Sequence, residues 1–502
     1  MPPRKAILLF AVLNAALFAA LLPLWEGFDE AFHYAYVESL WQTARLPVLG
    51  QTRMPADVSA SFTQAPVSHV ILRAIPEGTP FDAWFALPAP ERASRRAVLD
   101  SLLPSAGIAD RANYEAHQPP LAYLLLAPFD RLLAGFPLTG RVLLLRLLCG
   151  IVAVGLLFAG AVRLCRELEL PEPFASTALF CIFCSEMLYA TVAHVANDWL
   201  AIGVSAMLLA ELAGRRSGTR IALWCVAGLL TKAYFLLFVP VVIVVLWRSR
   251  SKLATLLLLL AAPWYVRNVA LYRNFTGTQE AYDGIGMKQA LAAIPHIDWP
   301  ATIAYLARAS LWTGNNSFTS FSRLTLDAVL ALLAVGFIAW LTYRRKMQLG
   351  EPVLAASMAI FTSGVLYATC VSFAYRGSES AGASPWYMQV LLTPLLLAVF
   401  AGLSRWPRYG RPIAAFTVVL WAWVLTATWT FKLFPLYSGS ESGSMRIRDI
   451  GAWYSHGAWA HAHDLSLTAL APASLLYAAL AASLLLTWWL AFHLLRGLKG
   501  PI

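Results

Sequence analysis

Long apolar runs, punctuated at every second junction by arginine and lysine, decide what this chain can fold into. Apolar spans lie near 6–24, 142–162, 174–192, 199–213, 219–231, 233–247, 252–267, 324–343, 352–372, 386–403, 413–430 and 469–495. Basic residues mark alternate junctions: Arg4-Lys5, Arg163/Arg166, Arg215-Arg216/Arg220, Arg248/Arg250/Lys252, Arg344-Arg345-Lys346, Arg405/Arg408/Arg411 and Arg496/Lys499. In hydrocarbon the backbone has no water to bond to, so such runs close their own hydrogen bonds as helices. The pattern predicts an all-α, polytopic membrane protein of about 12 transmembrane helices, with basic loops and both termini cytoplasmic.

Composition agrees: 59% of the 502 residues are apolar, 13% are charged, and mean hydropathy is +0.62. The net charge of +11 sits in loops beside the spans, where it meets anionic headgroups, and does not point to nucleic acid. The six cysteines lie in or beside apolar spans, and Cys181-x-x-Cys184 reads as packing. Residues 1–24 read as a retained first helix. Residues 119–136 are apolar, but a crossing there inverts every later basic loop. With Pro119, Pro120, Pro128 and Pro137 around it, this stretch is expected to be re-entrant or surface-lying.

The other face collects the long loops 25–118, 268–322 and 431–468. The first is too rich in proline and too poor in alternation for a soluble domain, so short helices lying on the membrane are expected. It opens with Trp25-Glu26-Gly27-Phe28-Asp29-Glu30-Ala31-Phe32-His33-Tyr34, three carboxylates and a histidine at the membrane exit. If a helix starts near Phe28, then Asp29, Glu30 and His33 share one face. Ionisable groups at the lip of the hydrocarbon are usually functional; a solvated helix-capping cluster is the plain alternative. Farther on, Glu186, His194 and Asp198 share a face if their helix continues past Thr191.

At this point the chain resembles the GT-C class of integral-membrane glycosyltransferases, nearest the protein O-mannosyltransferase-like and aminoarabinose-transferase-like branch. Five elements carry the resemblance: Asp29-Glu30, His117-Gln118-Pro119-Pro120-Leu121, Asn197-Asp198-Trp199-Leu200-Ala201, Gly228-Leu229-Leu230-Thr231-Lys232 and Pro263-Trp264-Tyr265-Val266-Arg267-Asn268. They cover residues 5–280 in order. Beyond them, Trp386-Tyr387-Met388 is similar to the class's entry to a late span, without its arginine. Two modules follow from this: a GT-C catalytic membrane module over 1–280 and a variable membrane module over 281–502.

The resemblance implies an inverting hexosyl or pentosyl transferase that takes a sugar from a polyprenyl-phosphate donor to a protein, lipid or glycan acceptor. The chemistry would take place outside the cytoplasm, at a bacterial inner membrane. It makes Asp29 the general base and Glu30 a secondary catalytic acid. His33, His117 and Asp198 become donor or sugar contacts, and Lys232 and Arg267 the phosphate cations. Glu186 stands where the class has apolar or proline residues, and is expected to line the cavity as a sugar contact or to be a locally paired carboxyl, while Arg273 and Arg376 carry no motif and read as exposed. Asp29, Asp198 and His117 are the candidate ligands if magnesium or manganese takes part. His456, His461 and His463 read as a surface feature rather than a zinc site. A secondary transporter or lipid flippase of envelope polysaccharide assembly is the second reading, and a non-catalytic assembly protein the third.

Overall fold

The computed structural model describes residues 3–214, 217–312, 321–343, 350–377, 384–406, 408–440, 451, 453–455 and 457–499. Arg215, Arg216, Arg344, Arg345, Lys346 and His456, all used in the sequence reading, lie outside the described residues. Each of the twelve expected apolar spans coincides with helical backbone. Among the described residues, eight helices are long and apolar enough to cross a membrane, or nine if the bent pair Phe174–Phe183 and Glu186–Val192 is one span. The 17-residue helix Asp198–Gly214 and the apolar helices Gly218–Leu229 and Ala233–Arg248 are shorter. The molecule is a multi-pass α-helical membrane protein.

Its first half runs α1 (Pro3–Leu21), α2 (Glu30–Thr43), β1 (Arg53–Pro55), α3 (Ala56–Ser61), β2 (Pro66–Val67), β3 (Thr79–Pro80), α4 (Phe81–Ala86), α5 (Ala89–Leu99) and β4 (Ile108–Ala112). Next come α6 (Leu121–Leu132), α7 (Leu138–Glu167), α8 (Phe174–Phe183), α9 (Glu186–Val192) and α10 (Asp198–Gly214). Then follow α11 (Gly218–Leu229), α12 (Val239–Arg248) and α13 (Ala262–Tyr272). The first long loop is short helices, as expected, but it also holds two small sheets. β1 pairs antiparallel with β4, and β2 pairs parallel with β3. These strands are two to five residues long, too short for alternation to register in the sequence.

Helix α6 has 12 residues, about 18 Å at 1.5 Å per residue, against a hydrocarbon core of roughly 30 Å. It packs across α2. Helices α1 and α10 both pack on α7. A Cβ at Gly160 would stand 2.6 Å from the Ala206 backbone, so the α7–α10 approach needs glycine there. The later helices close around this centre: Ala473–Lys499 packs on α1, and Leu392–Ser404 packs on α8.

Buried charge ties the loop to the spans. Arg141, near the start of α7, donates to Tyr34 (2.5 Å), Glu38 (3.1 Å) and Asp57 (2.7 Å), and Asp130 lies 3.7 Å away. All five side chains are buried. Breaking a buried pair by removing one partner typically costs about 3–5 kcal/mol, because the other charge is stranded. The loop is therefore fastened to α7 by electrostatics as well as by packing.

Candidate active site

The chain leaves α1 through two residues with left-handed backbone, Trp25 (φ 67°) and Asp29 (φ 53°). Aspartate visits this region more readily than most side chains. Gly27 allows a close approach, since a Cβ there would stand 2.7 Å from His194 Cβ. Helix α2 begins only at Glu30, and Asp29 makes no side-chain cap. Its carboxylate turns to Tyr114, whose hydroxyl donates to Oδ1 at 2.5 Å. The His33 N–H donates to the Asp29 carbonyl at 3.2 Å, one turn apart as expected, but the side chains take different partners, since His33 Nδ1 meets the Tyr123 hydroxyl at 2.7 Å.

The two neighbouring acids part company. Asp29 keeps some exposed surface, whereas Glu30 is 1% exposed and ion-paired with Arg146 of α7. Arg146 Nε donates to Glu30 Oε1 at 2.7 Å, and the same oxygen accepts the Val195 N–H at 2.9 Å. The guanidinium also donates to the carbonyls of Ala19, Leu22 and Pro23, satisfying the C-terminal end of α1. Burial opposes ionisation of Glu30, but Arg146 outweighs it and holds the carboxyl below its usual range. At Asp29 burial wins and raises the carboxyl, against the Tyr114 hydroxyl, Lys232 and Arg376, with Asp198 adding to the rise.

A continuous polar network runs from Tyr114 to Lys232. The 3-10 turn Tyr114–His117 places Glu115 inward, where Gln118 Nε2 donates to its Oε2 at 2.8 Å. Asn197 Nδ2 donates to Gln118 Oε1 (3.0 Å) and to the Thr231 carbonyl (3.2 Å). Lys232 Nζ then donates to Asp198 Oδ1 at 2.5 Å and lies 4.7 Å from the centre of the Tyr387 ring. Burial, with Asp29 nearby, pushes Glu115 up to about 8. Burial also depresses His33 well below its usual value, so its imidazole is neutral near pH 7. His117 Nδ1 lies 2.8 Å from the Tyr114 carbonyl, which only accepts, so the proton sits on Nδ1 and Nε2 carries the lone pair.

Two candidates stand apart from this network. Arg267 donates to the Pro47 carbonyl at 2.6 Å and stacks 4.8 Å over Trp264, holding the segment after α2. Glu186 opens α9; it is buried, with no hydrogen bond to Oε1 among the described residues and Lys432 as its electrostatic partner. The expected helical face of Glu186, His194 and Asp198 is broken, since α9 ends at Val192 and α10 starts at Asp198. Among the described residues, no group of three or more His, Cys, Asp or Glu is arranged to hold a metal. Asp198 is taken by Lys232 and Asp29 by Tyr114, so the candidate magnesium or manganese ligands do not converge.

Sequence reasoning passed over Tyr114, Glu115 and Arg146, and gave Arg376 no role beyond exposure. Arg146 left a signal, since an arginine inside a predicted span calls for an acid partner. Arg376 ends the helix Gly350–Arg376, exposed but within electrostatic reach of Asp29 and Tyr114. Its position depends on a late helix that carries no motif.

No family model matches the chain, and no curated protein matches it. Two solved structures are similar to it. One is ArnT from Cupriavidus metallidurans bound to undecaprenyl phosphate, at 12% identity and TM-score 0.47 over 98% of this chain and 77% of that one. The other is the same protein in the apo state, at 13% identity and TM-score 0.45 over 97% and 74%.

Proposed function

We propose that this chain is a GT-C-type glycosyltransferase that takes a sugar from a polyprenyl-phosphate donor on the face where the first loop folds. One observation carries the reading. Asp29, His117-Gln118, Asn197-Asp198 and Thr231-Lys232 lie far apart in sequence yet meet in one hydrogen-bonded and electrostatic network. That network holds a partly exposed carboxylate beside two cations, at the mouth of a membrane-spanning bundle.

In this reading Asp29 takes the proton from the acceptor's nucleophile. Tyr114 fixes the carboxylate and keeps it ionisable, and burial lifts its basicity toward working pH. Lys232, oriented by Asp198, and Arg376 hold the donor phosphate, with charge-assisted bonds suited to its oxygens. Attack from the side opposite the leaving phosphate inverts the anomeric centre. Glu30 serves as a strut and Arg267 as a loop anchor, while the buried Tyr234 Oη and Asn197 Oδ1 have no hydrogen-bond partner among the described residues. The envelope of a bacterial inner membrane, worked from its outer face, is the proposed setting.

The test is Asp29→Asn in the full-length protein, read by mass spectrometry of envelope glycoconjugates from cells carrying wild type, the variant or neither. A glycoconjugate present only with wild type supports the reading. A modification that survives equally in Asp29→Asn at matched protein level removes Asp29 as the base, and an unchanged glycoconjugate profile in cells lacking the gene removes the transferase.

A further inference from the structure

Helices α2 and α6 turn His33, Tyr36 and Tyr123 toward the site and leave a second, outward-facing surface between them. Tyr36 and Tyr123 stack at 4.0 Å on the inner side. On the outer side lies an open groove of about 750 Å³, walled by Leu40, Leu124 and Leu132 and rimmed by Arg45 and Arg131. Leu124 and Leu132 are 48% and 80% exposed. Both arginines are exposed, and neither guanidinium has a hydrogen bond or ion pair among the described residues. No carboxylate lines the groove. The adjacent acid, Asp130, faces inward, accepting from Tyr34 at 2.9 Å and Trp41 at 2.7 Å.

An apolar trough with two unpaired guanidinium groups at its rim matches an amphiphile with an anionic head and a hydrocarbon chain. The dimensions agree, since α6 is about 18 Å long and one leaflet is half of a hydrocarbon core of roughly 30 Å. We propose that the α2–α6 groove binds an anionic glycerophospholipid of the surrounding bilayer, its phosphate on Arg45 and Arg131 and an acyl chain along Leu40, Leu124 and Leu132. This site is separate from the one at Asp29, where other cations, Lys232 and Arg376, stand by the carboxylate. It does not depend on the transferase reading. A lipid seated here braces α6, and with it the Tyr123 hydroxyl that holds His33.

The test uses the full-length protein in nanodiscs of phosphatidylcholine with and without phosphatidylglycerol, with retained lipid read by native mass spectrometry. Wild type should retain phosphatidylglycerol in preference to phosphatidylcholine. Arg45→Ala/Arg131→Ala should weaken that preference about 25-fold, on the order of five-fold for each basic residue at an anionic surface. Arg45→Lys/Arg131→Lys should keep most of it. If the double alanine protein does not purify, Arg131→Glu alone decides, because a reversed charge should abolish the preference. A preference unchanged in the alanine or glutamate variants overturns the proposal. So does undecaprenyl phosphate displacing phosphatidylglycerol from wild type but not from the double alanine variant, which would give the groove to a polyprenyl lipid.

Discussion

The Tyr114 hydroxyl donates to Asp29 Oδ1 at 2.5 Å, joining the end of the first long loop to its beginning. The bond has a direct consequence for pH. It favours the ionised carboxylate and opposes the rise that burial imposes. Tyr114→Phe removes it, so the Asp29 carboxyl rises further. A general base works only when ionised, so activity falls as pH drops through its pKa. The acidic limb of the kcat profile should therefore move to higher pH in Tyr114→Phe, while the rate on the alkaline plateau changes less. An acidic limb at the wild-type position would separate Tyr114 from the ionisation that controls turnover.

Lys232 and Arg376 stand in different surroundings, so their loss should register differently. Lys232 is 6% exposed and bonded to Asp198, whereas Arg376 lies on the surface at a helix end. A charge-assisted bond is worth about 1.5–3 kcal/mol, roughly 10- to 150-fold in binding. Lys232→Met should raise KM for the polyprenyl-phosphate donor within that range. Arg376→Ala should raise it less, and its effect should shrink as salt is added, since exposed charges are screened. Donor titrations at low and high ionic strength check both. Equal salt sensitivity in the two variants would contradict the assignment.

Glu38 gives a stability prediction. Burial, with Asp57 nearby, pushes its carboxyl up to about 9, while Arg141 pulls the other way. The folded state then holds a proton that the unfolded chain releases above its ordinary value of 4.5. The stabilisation is fully present below that ordinary value and is lost as pH rises through the folded one, because the folded state binds more protons between them. Thermal stability in detergent should fall from pH 6 to pH 9, by at most about 1.4 kcal/mol per pH unit from one group. Glu38→Gln should make the decline shallower; Glu115, raised to about 8, leaves a remainder. A parallel decline in the variant would place the proton elsewhere.

The spans were legible because hydrocarbon forces a period and a length on the chain, and the basic junctions order them. The site was legible only where each residue sits in a short local element. Asp198 and Lys232 were both chosen from local elements, and they meet at 2.5 Å. What failed were arguments from helical continuity. A helix from Phe28 pairs Asp29 with His33, but the left-handed backbone at Asp29 holds the start of α2 back two residues, to Glu30, and the two side chains take separate partners. Glu186 and Asp198 were joined by a helix that in fact breaks at Val192. A break is set by tertiary packing, which no local spacing reports. Arg267, expected at the phosphate from its motif, gives Nη2 to the Pro47 carbonyl, a partner 220 residues away, and leaves Nη1 without a hydrogen bond among the described residues.

The Glu30–Arg146 pair separates a structural acid from a catalytic one. Both side chains are fully buried, and Arg146 also binds three carbonyls at the end of α1. Glu30→Gln strands the guanidinium, so it should destabilise the protein by about 3–5 kcal/mol. Arg146→Met alone should do the same by stranding the carboxylate. The double variant Glu30→Gln/Arg146→Met leaves no net buried charge and should recover much of that loss, as replacements of buried ion pairs often do. Folded Glu30→Gln, assayed per active molecule, should keep turnover within about ten-fold of wild type, whereas Asp29→Asn should lose roughly 10²–10⁴. Thermal melts of all four proteins, combined as a double-mutant cycle, measure the coupling. A coupling near zero, or a turnover loss in Glu30→Gln as large as in Asp29→Asn, would move Glu30 from the scaffold into the chemistry.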